Sequence, residues 1–362
     1  MSALPGEILH ADWSVSPVKR QVARAVLSSG RYVLGLPQQA VEADDLLGCF
    51  GLSAVAPTSD VARLIGVDFP LGLPSAYARL AGVIDFPSFV SEFAAGGLPR
   101  LGAVATRPEE IAVDRPFYPA RPGGALRRHL TEGLGLDAGE LRRRCEGKDA
   151  EVVFWTLGAK QVGKGALLGW RLLGRSLAKP DAAVFLWPFA GRLADLFSRD
   201  ACRRGAVVVA ESYPAESARH LAAAAARASM EVPRRLVKRD PTSRALWAPA
   251  LLAWAAELGV DPDPESAAHI SSGFAGPGPG EDAFDALLGL LGLVEVARDI
   301  ARDVPRDAAR DIARDVDIED WEWWEPPEGM RRVEGWILGR PVAPGHREKS
   351  QEPHSQITVR SE

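Results

Sequence analysis

The stretch 62–74, Ala-Arg-Leu-Ile-Gly-Val-Asp-Phe-Pro-Leu-Gly-Leu-Pro, constrains this chain more than any other. Leu64 to Val67 is a short apolar run of the kind found in a buried strand. Pro70, Gly72 and Pro74 then forbid its continuation and impose a rigid turn. The strand delivers one carboxylate, Asp68, at its end. In an open α/β sheet the strand ends are where ligands bind. Asp also caps turns, so Asp68 taken alone divides evenly between chemistry and turn-making.

The pattern recurs. Glu7 to Trp13 reads as a strand carrying Asp12 at its end. Residues 19–27 alternate with period two, and Arg31 to Gly35 forms a third strand. Turn composition at 14–17 and 28–30 joins the three into an antiparallel meander. A helix over 40–47 precedes the Asp68 strand. Later, 182–187 is an apolar run, and Ala206 to Ala210 is the clearest buried strand, running into Glu211 and then Pro214. Residues 220–230 and 245–258 are helical, with Trp247 and Trp254 read as core. The run 281–294 carries a helical stripe of Phe284, Leu287, Leu288, Leu291 and Val294. Asp282 and Asp285 are three apart and share a face. Gly289 and Gly292 continue it, so this helix can approach a sheet closely. Two acids in a first turn also suit the helix dipole, which accounts fully for Asp282 and less well for Asp285.

From 70 to 150 repeated prolines break any period, and the expectation is an insertion of short helices and loops bearing Arg127, Arg128 and Arg142 to Arg144. Gly158 to Gly165 approaches a phosphate-binding loop but ends in Gly165 where a hydroxyl would hold magnesium. Lys160 and Lys164 remain candidates for phosphate contact, as does the basic cluster of Arg234, Arg235, Lys238 and Arg239. Residues 297–316 repeat Ala-Arg-Asp-aliphatic, read as an exposed, ion-paired helix broken near Pro305. The tail from 341 to 362 is polar and expected to be disordered.

The charge balance excludes global attraction to nucleic acid. With 43 Lys and Arg against 48 Asp and Glu, the net charge is −5, so any such contact must be local. The 3 cysteines form no zinc pattern or disulfide framework. No signal peptide is read at the N-terminus, and no apolar run is long enough to span a bilayer. A cytoplasmic, membrane-free protein is expected. His10, His129, His220 and His269 lack ligand spacing.

The acids then form a set. Asp12, Asp68 and Glu211 end strands, and Asp282 and Asp285 sit on a late helix. Brought together they would be tolerable only with cations between them. Oxygen-only ligands favour Mg²⁺ or Mn²⁺, and two such ions suit phosphodiester cleavage.

This succession of acid-ending strands, meander and acid-bearing final helix resembles the ribonuclease H-like fold. Asp282-x-x-Asp285-Ala286 resembles the final helix of Holliday-junction resolvases. Ile65 to Pro74, Glu211-Ser-Tyr-Pro214, Phe284-Asp-Ala286 and Glu334-Gly-Trp-Ile337 resemble a bacterial and archaeal family of predicted nucleases of that fold. The resemblance covers most of 5–340. It implies a three-layer α/β domain with a mixed five-stranded sheet flanked by helices, its core divided into 5–80 and 151–340. The helical and loop insertion is 81–150, and the Ala-Arg-Asp repeat occupies 297–320.

The expected function is a metal-dependent nuclease or phosphodiesterase, with nucleic acid as the expected partner. Asp12, Asp68, Glu211 and Asp285 are the catalytic candidates. Asp12, Asp68, Asp282 and Asp285 are the metal candidates. Lys160, Lys164, Arg235 and Lys238 are the substrate-binding candidates. Two alternatives stay open: a non-catalytic binding protein on the same fold, and a phosphotransferase, for which Asp12-Trp-Ser-Val-Ser16 lacks the glycine of a phosphate loop.

Overall fold

A computed structural model describes residues 4–52, 61–147, 150–158, 162–180, 183–198, 205–276, 280–302, 326 and 328–340. Its strands are β1 (Glu7–Asp12), β2 (Gln21–Ser28), β3 (Arg31–Leu34), β4 (Gln38–Gln39), β5 (Arg63–Val67), β6 (Val184–Leu186), β7 (Val207–Glu211) and β8 (Val260–Pro262). Helices of eight residues or more, among the described residues, are α1 (Phe86–Ala94), α2 (Val162–Leu177), α3 (Pro214–Arg227), α4 (Pro241–Glu257), α5 (Pro264–Ser271) and α6 (Gly280–Arg302).

The protein is α/β, with one mixed sheet of eight strands in the order β6-β7-β5-β1-β2-β3-β8, β4 pairing beside β2. The sheet is wider than the expected five strands. The two-residue β4 and the three-residue β6 and β8 are too short to leave a period-two pattern. β1, β2 and β3 form the expected antiparallel meander. β1, β5, β7 and β6 run parallel. The expected helix over 40–47 is instead a loop leading to a single helical turn, Leu46–Cys49, capped by Asp45.

Alternation along the strands sends side chains to two cores. Ile8, Leu64, Val208 and Ala210 pack beneath α3, α4 and α6. Leu9, Ile65, Val67, Val207 and Val209 pack on the other face against α1, α2 and the segments between 98 and 155. Phe86, Phe117 and Trp170 belong to that second core, so the expected insertion forms one face of the sheet's packing. Trp247 and Trp254 are buried core residues, as expected. The Ala-Arg-Asp repeat is helical as far as Arg302. Its remainder, with the tail, lies outside the described residues.

α6 lies across β1 and β2 and also touches α3. The approach depends on missing side chains. A Cβ on Gly289 would collide with the His10 ring, and one on Gly292 with Ser217. On the sheet side, a Cβ on Gly66 would come within 2.8 Å of His10 and meet Leu293. His10 is fully buried in this seam, with Nε2 at 3.3 Å from the Ser212 carbonyl.

Gly289→Ala should therefore destabilise the protein by about 1–3 kcal/mol, the usual cost of overpacking a core. Gly165→Ala, where the new methyl meets open space in α2, should stabilise by about 0.5–1 kcal/mol. Urea denaturation of the two variants checks both signs.

Candidate functional site

Three elements bring four carboxylates to one place. β1 ends at Asp12, β5 ends just before Asp68, and the first turns of α6 carry Asp282 and Asp285. Asp68 Oδ1 accepts the Trp13 N–H at 2.6 Å, tying the two parallel strand ends together. Asp12 hydrogen bonds to Asp68 and to Asp282. Lys238 Nζ lies 2.5 Å from Asp285 Oδ2, while Asp285 Oδ1 is buried without a partner.

The electrostatics follow from burial and crowding. Burial is the first cause holding Asp12 protonated far above the usual carboxylate range, and the charges of Asp68, Asp285 and Asp282 add to it. Burial also raises Asp68, against the opposing pull of the Trp13 N–H and the Asp12 bond. Asp285 is raised by burial although Lys238 opposes it, and Asp282 is raised chiefly by burial. Four carboxylates in so little water cannot all stay ionised unaided.

Among the described residues, no group of three or more His, Cys, Asp or Glu side chains is arranged to hold a metal ion. The carboxylates are turned toward one another, toward Lys238 and toward the Trp13 amide. As a donor set they are all oxygen, and Asp285 Oδ1 is an orphaned acceptor. That combination fits a hard divalent cation once the side chains turn outward.

Beside the acids opens a cleft of about 1070 Å³, which Asp68, Asp285, Trp13, Lys19, Tyr213 and Lys238 help to line. Gly158 and, at the start of α2, Val162 and Gly165 also line it. The resemblance of 158–165 to a phosphate loop thus falls at the cleft, but Lys164 is not among the lining residues. Arg235 is exposed and outside the lining. Lys160 lies outside the described residues. Lys238 reaches the site by pairing with an acid.

Glu211 is a correction. Its neighbours Val207 and Val209 face the second core, whereas Val208 and Ala210 face α6. Glu211 shares the parity of the former, so its carboxylate leaves β7 on the face away from α6. There it is fully buried in a two-pronged bond with Arg143, both contacts at 2.6 Å. It also accepts the Leu71 N–H at 2.7 Å. A carboxylate committed in this way acts as a brace for the Asp68 turn.

Other bonds complete that brace. Trp170 donates to the Pro70 carbonyl at 2.6 Å, and the Leu73 N–H donates to the Val333 carbonyl at 2.8 Å. A Cβ on Gly72 would collide with the Glu334 backbone, and one on Gly335 with the Leu71 carbonyl. Neither Arg143 as Glu211's partner nor Lys19 and Tyr213 as cleft residues were expected from the sequence. Lys19 and Tyr213 do carry a signal: each follows closely on a strand whose end lies at the acid edge of the sheet.

Raised carboxylate values in the folded state mean that folding favours proton uptake. The stability these acids contribute is fully present at or below the ordinary carboxylate range and is lost as pH rises toward the raised values, while His10, lowered by burial to about 4, and the lowered Asp45 and Asp263 contribute the opposite slope. Between roughly pH 4 and pH 8, the difference in melting temperature between the wild-type protein and Asp12→Asn should show this decline free of the opposing groups. Asp12→Asn should flatten the wild-type slope and raise the melting temperature at the alkaline end. An unchanged slope in that variant would count against the clustered acids as its source. Comparison with known protein families, with curated proteins and with solved structures finds no match to this chain.

Proposed function

We propose that this protein is a divalent-metal-dependent phosphodiesterase acting on nucleic acid, built on a ribonuclease H-like domain. The observation that carries the reading is the meeting of Asp12, Asp68, Asp282 and Asp285 beside a cleft large enough for a substrate of several nucleotides' bulk. The fold reading is supported by the order β3-β2-β1-β5-β7 at the centre of the sheet, with β2 alone antiparallel within it. The acid-bearing α6 packed across β1 and β2 supports it further.

On this reading Asp12, Asp68 and Asp285 hold Mg²⁺ or Mn²⁺, and Asp282 supports them through Asp12. The bound ion would supply Lewis-acid stabilisation of phosphate oxygens and a more acidic water. The protein's own groups do the rest. Lys238 offsets the charge of Asp285 and stands at the cleft for phosphate contact. Lys19 adds a second positive charge at the rim. Tyr213, partly exposed in the cleft lining, presents a ring suited to a base or sugar. The Trp13 amide fixes the Asp68 carboxylate.

One observation favours a non-catalytic binding protein as a second reading. Lys238 pairs with Asp285, and Asp12 hydrogen bonds to Asp68 and Asp282, so these acids have partners within the protein. Calorimetric titration with Mn²⁺ separates the two. The wild-type protein should bind, and the Asp12→Asn, Asp68→Asn double variant should lose that binding. It should also lose about 10²-fold or more of any hydrolysis of bis(p-nitrophenyl) phosphate or a labelled oligonucleotide, as expected when transition-state charge stabilisation is removed. Equal Mn²⁺ binding by both proteins would refute the metal site.

A further inference from the structure

A second cavity lies away from the acids. It has a volume of about 820 Å³ and shares no lining residue with the acid cleft. Its walls come from the loop 81–85, from α1, and from the segments 97–101 and 112–114. Tyr77, Phe89 and Leu101 form buried apolar parts of the lining, and Ile84 contributes an aliphatic chain that is 71% exposed. Its size is that of a small-molecule pocket, and an apolar interior with a few polar groups is the usual character of one.

The polar groups specify the ligand's sign. Among the described lining residues, Asp85, Glu92 and Asp114 are the acids and Arg100 is the one basic residue. Arg100 is already paired with Asp114 at 2.9 Å. Asp85 uses one oxygen to cap α1 through the Ser88 N–H at 2.8 Å, leaving the other for a ligand. Glu92 has no ion pair among the described residues. Tyr77 spends its hydroxyl proton on the Val113 carbonyl at 2.7 Å. The pocket therefore offers acceptors and net negative charge around an apolar interior, with few donors. An anionic ligand would meet uncompensated carboxylates, and a neutral apolar one would leave them unused.

We infer that this pocket binds a small organic amine with an apolar body, the ammonium group facing Glu92 and Asp85 and the body lying among Tyr77, Phe89, Ile84 and Leu101. Half of that recognition is hydrophobic burial, which does not depend on the sign of charge. The other half is a Coulombic preference at a partly exposed site, sufficient for about a tenfold discrimination. The inference stands apart from the phosphodiesterase reading, because no residue is common to the two sites.

The test compares two ligands of nearly equal shape and opposite charge, tryptamine and indole-3-propionate, by calorimetry or ligand-observed NMR on the full chain. Tryptamine should bind at least about tenfold more tightly at moderate salt. Glu92→Lys changes an exposed position and should remove or reverse the preference. Ile84→Lys, also at an exposed position, should do the same independently. Neither variant should alter Mn²⁺ titration. Binding of neither ligand, equal binding of both, or a preference unchanged in both variants would overturn the inference.

Discussion

The contact on which the rest of this structure depends is the seam between α6 and β1. Two helical glycines, Gly289 and Gly292, let the helix backbone down onto His10 and Ser217. Gly66 makes the matching space beside His10 and Leu293. Close approach has a chemical consequence. α6 carries Asp282 and Asp285 in its first turns, and β1 ends in Asp12. Lowering the helix onto the strand therefore forces carboxylates together at the sheet edge. A bulkier residue in the seam would lift the helix and separate the acids before it touched any of them.

The second constraint works from the opposite face. Asp68 sits at a turn that cannot hold itself, since its prolines remove backbone donors and its glycine adopts a positive φ. The turn is held instead by three distant parts of the chain: Glu211 on β7, Trp170 on α2, and the 333–335 segment. Glu211 is itself held by Arg143, with Glu146 on the arginine's Nε at 2.8 Å. A buried pair of this kind contributes little net stability. Removing one partner, however, typically costs about 3–5 kcal/mol because the other is left as a bare buried charge. Its value here is geometric. It fixes the backbone that presents Asp68, and it recruits the 81–150 region into the same body as the sheet.

Much of this was legible in the sequence because it rests on short-range rules. Acid-ending strands, the meander and the amphipathic stripe of α6 all follow from periodicity and turn chemistry. So does the pairing of Asp282 with Asp285 on one face. Gly289 and Gly292 were readable as a close-packing surface, and they are one. Glu211 was misread for a specific reason. A strand-ending acid looks the same whichever face it points to, and a one-residue change in parity sends it to the other side of the sheet. The pairing of Lys238 with Asp285 spans 47 positions and that of Arg143 with Glu211 spans 68. No local pattern encodes such pairs. β8 was missed because three residues carry no period, and β6 was read only as the apolar run 182–187.

The crowding of the acids bears on what the site is for. If a protein needed Asp12, Asp68 and Asp285 only to fold, apolar residues at these positions would serve better, since buried ionisable groups are costly unless fully paired. The arrangement is incompletely paired. Asp285 Oδ1 is buried with no donor, although Oδ2 has Lys238. Asp12 sits against Asp68 and Asp282, and burial together with their charges raises it far above the usual carboxylate range. Each deficit is one that a positive charge at the cleft would correct. It would offset the crowded carboxylates and take up the orphaned oxygen. On the proposed reading, the crowded acids and the orphaned Asp285 oxygen are what a bound cation would satisfy.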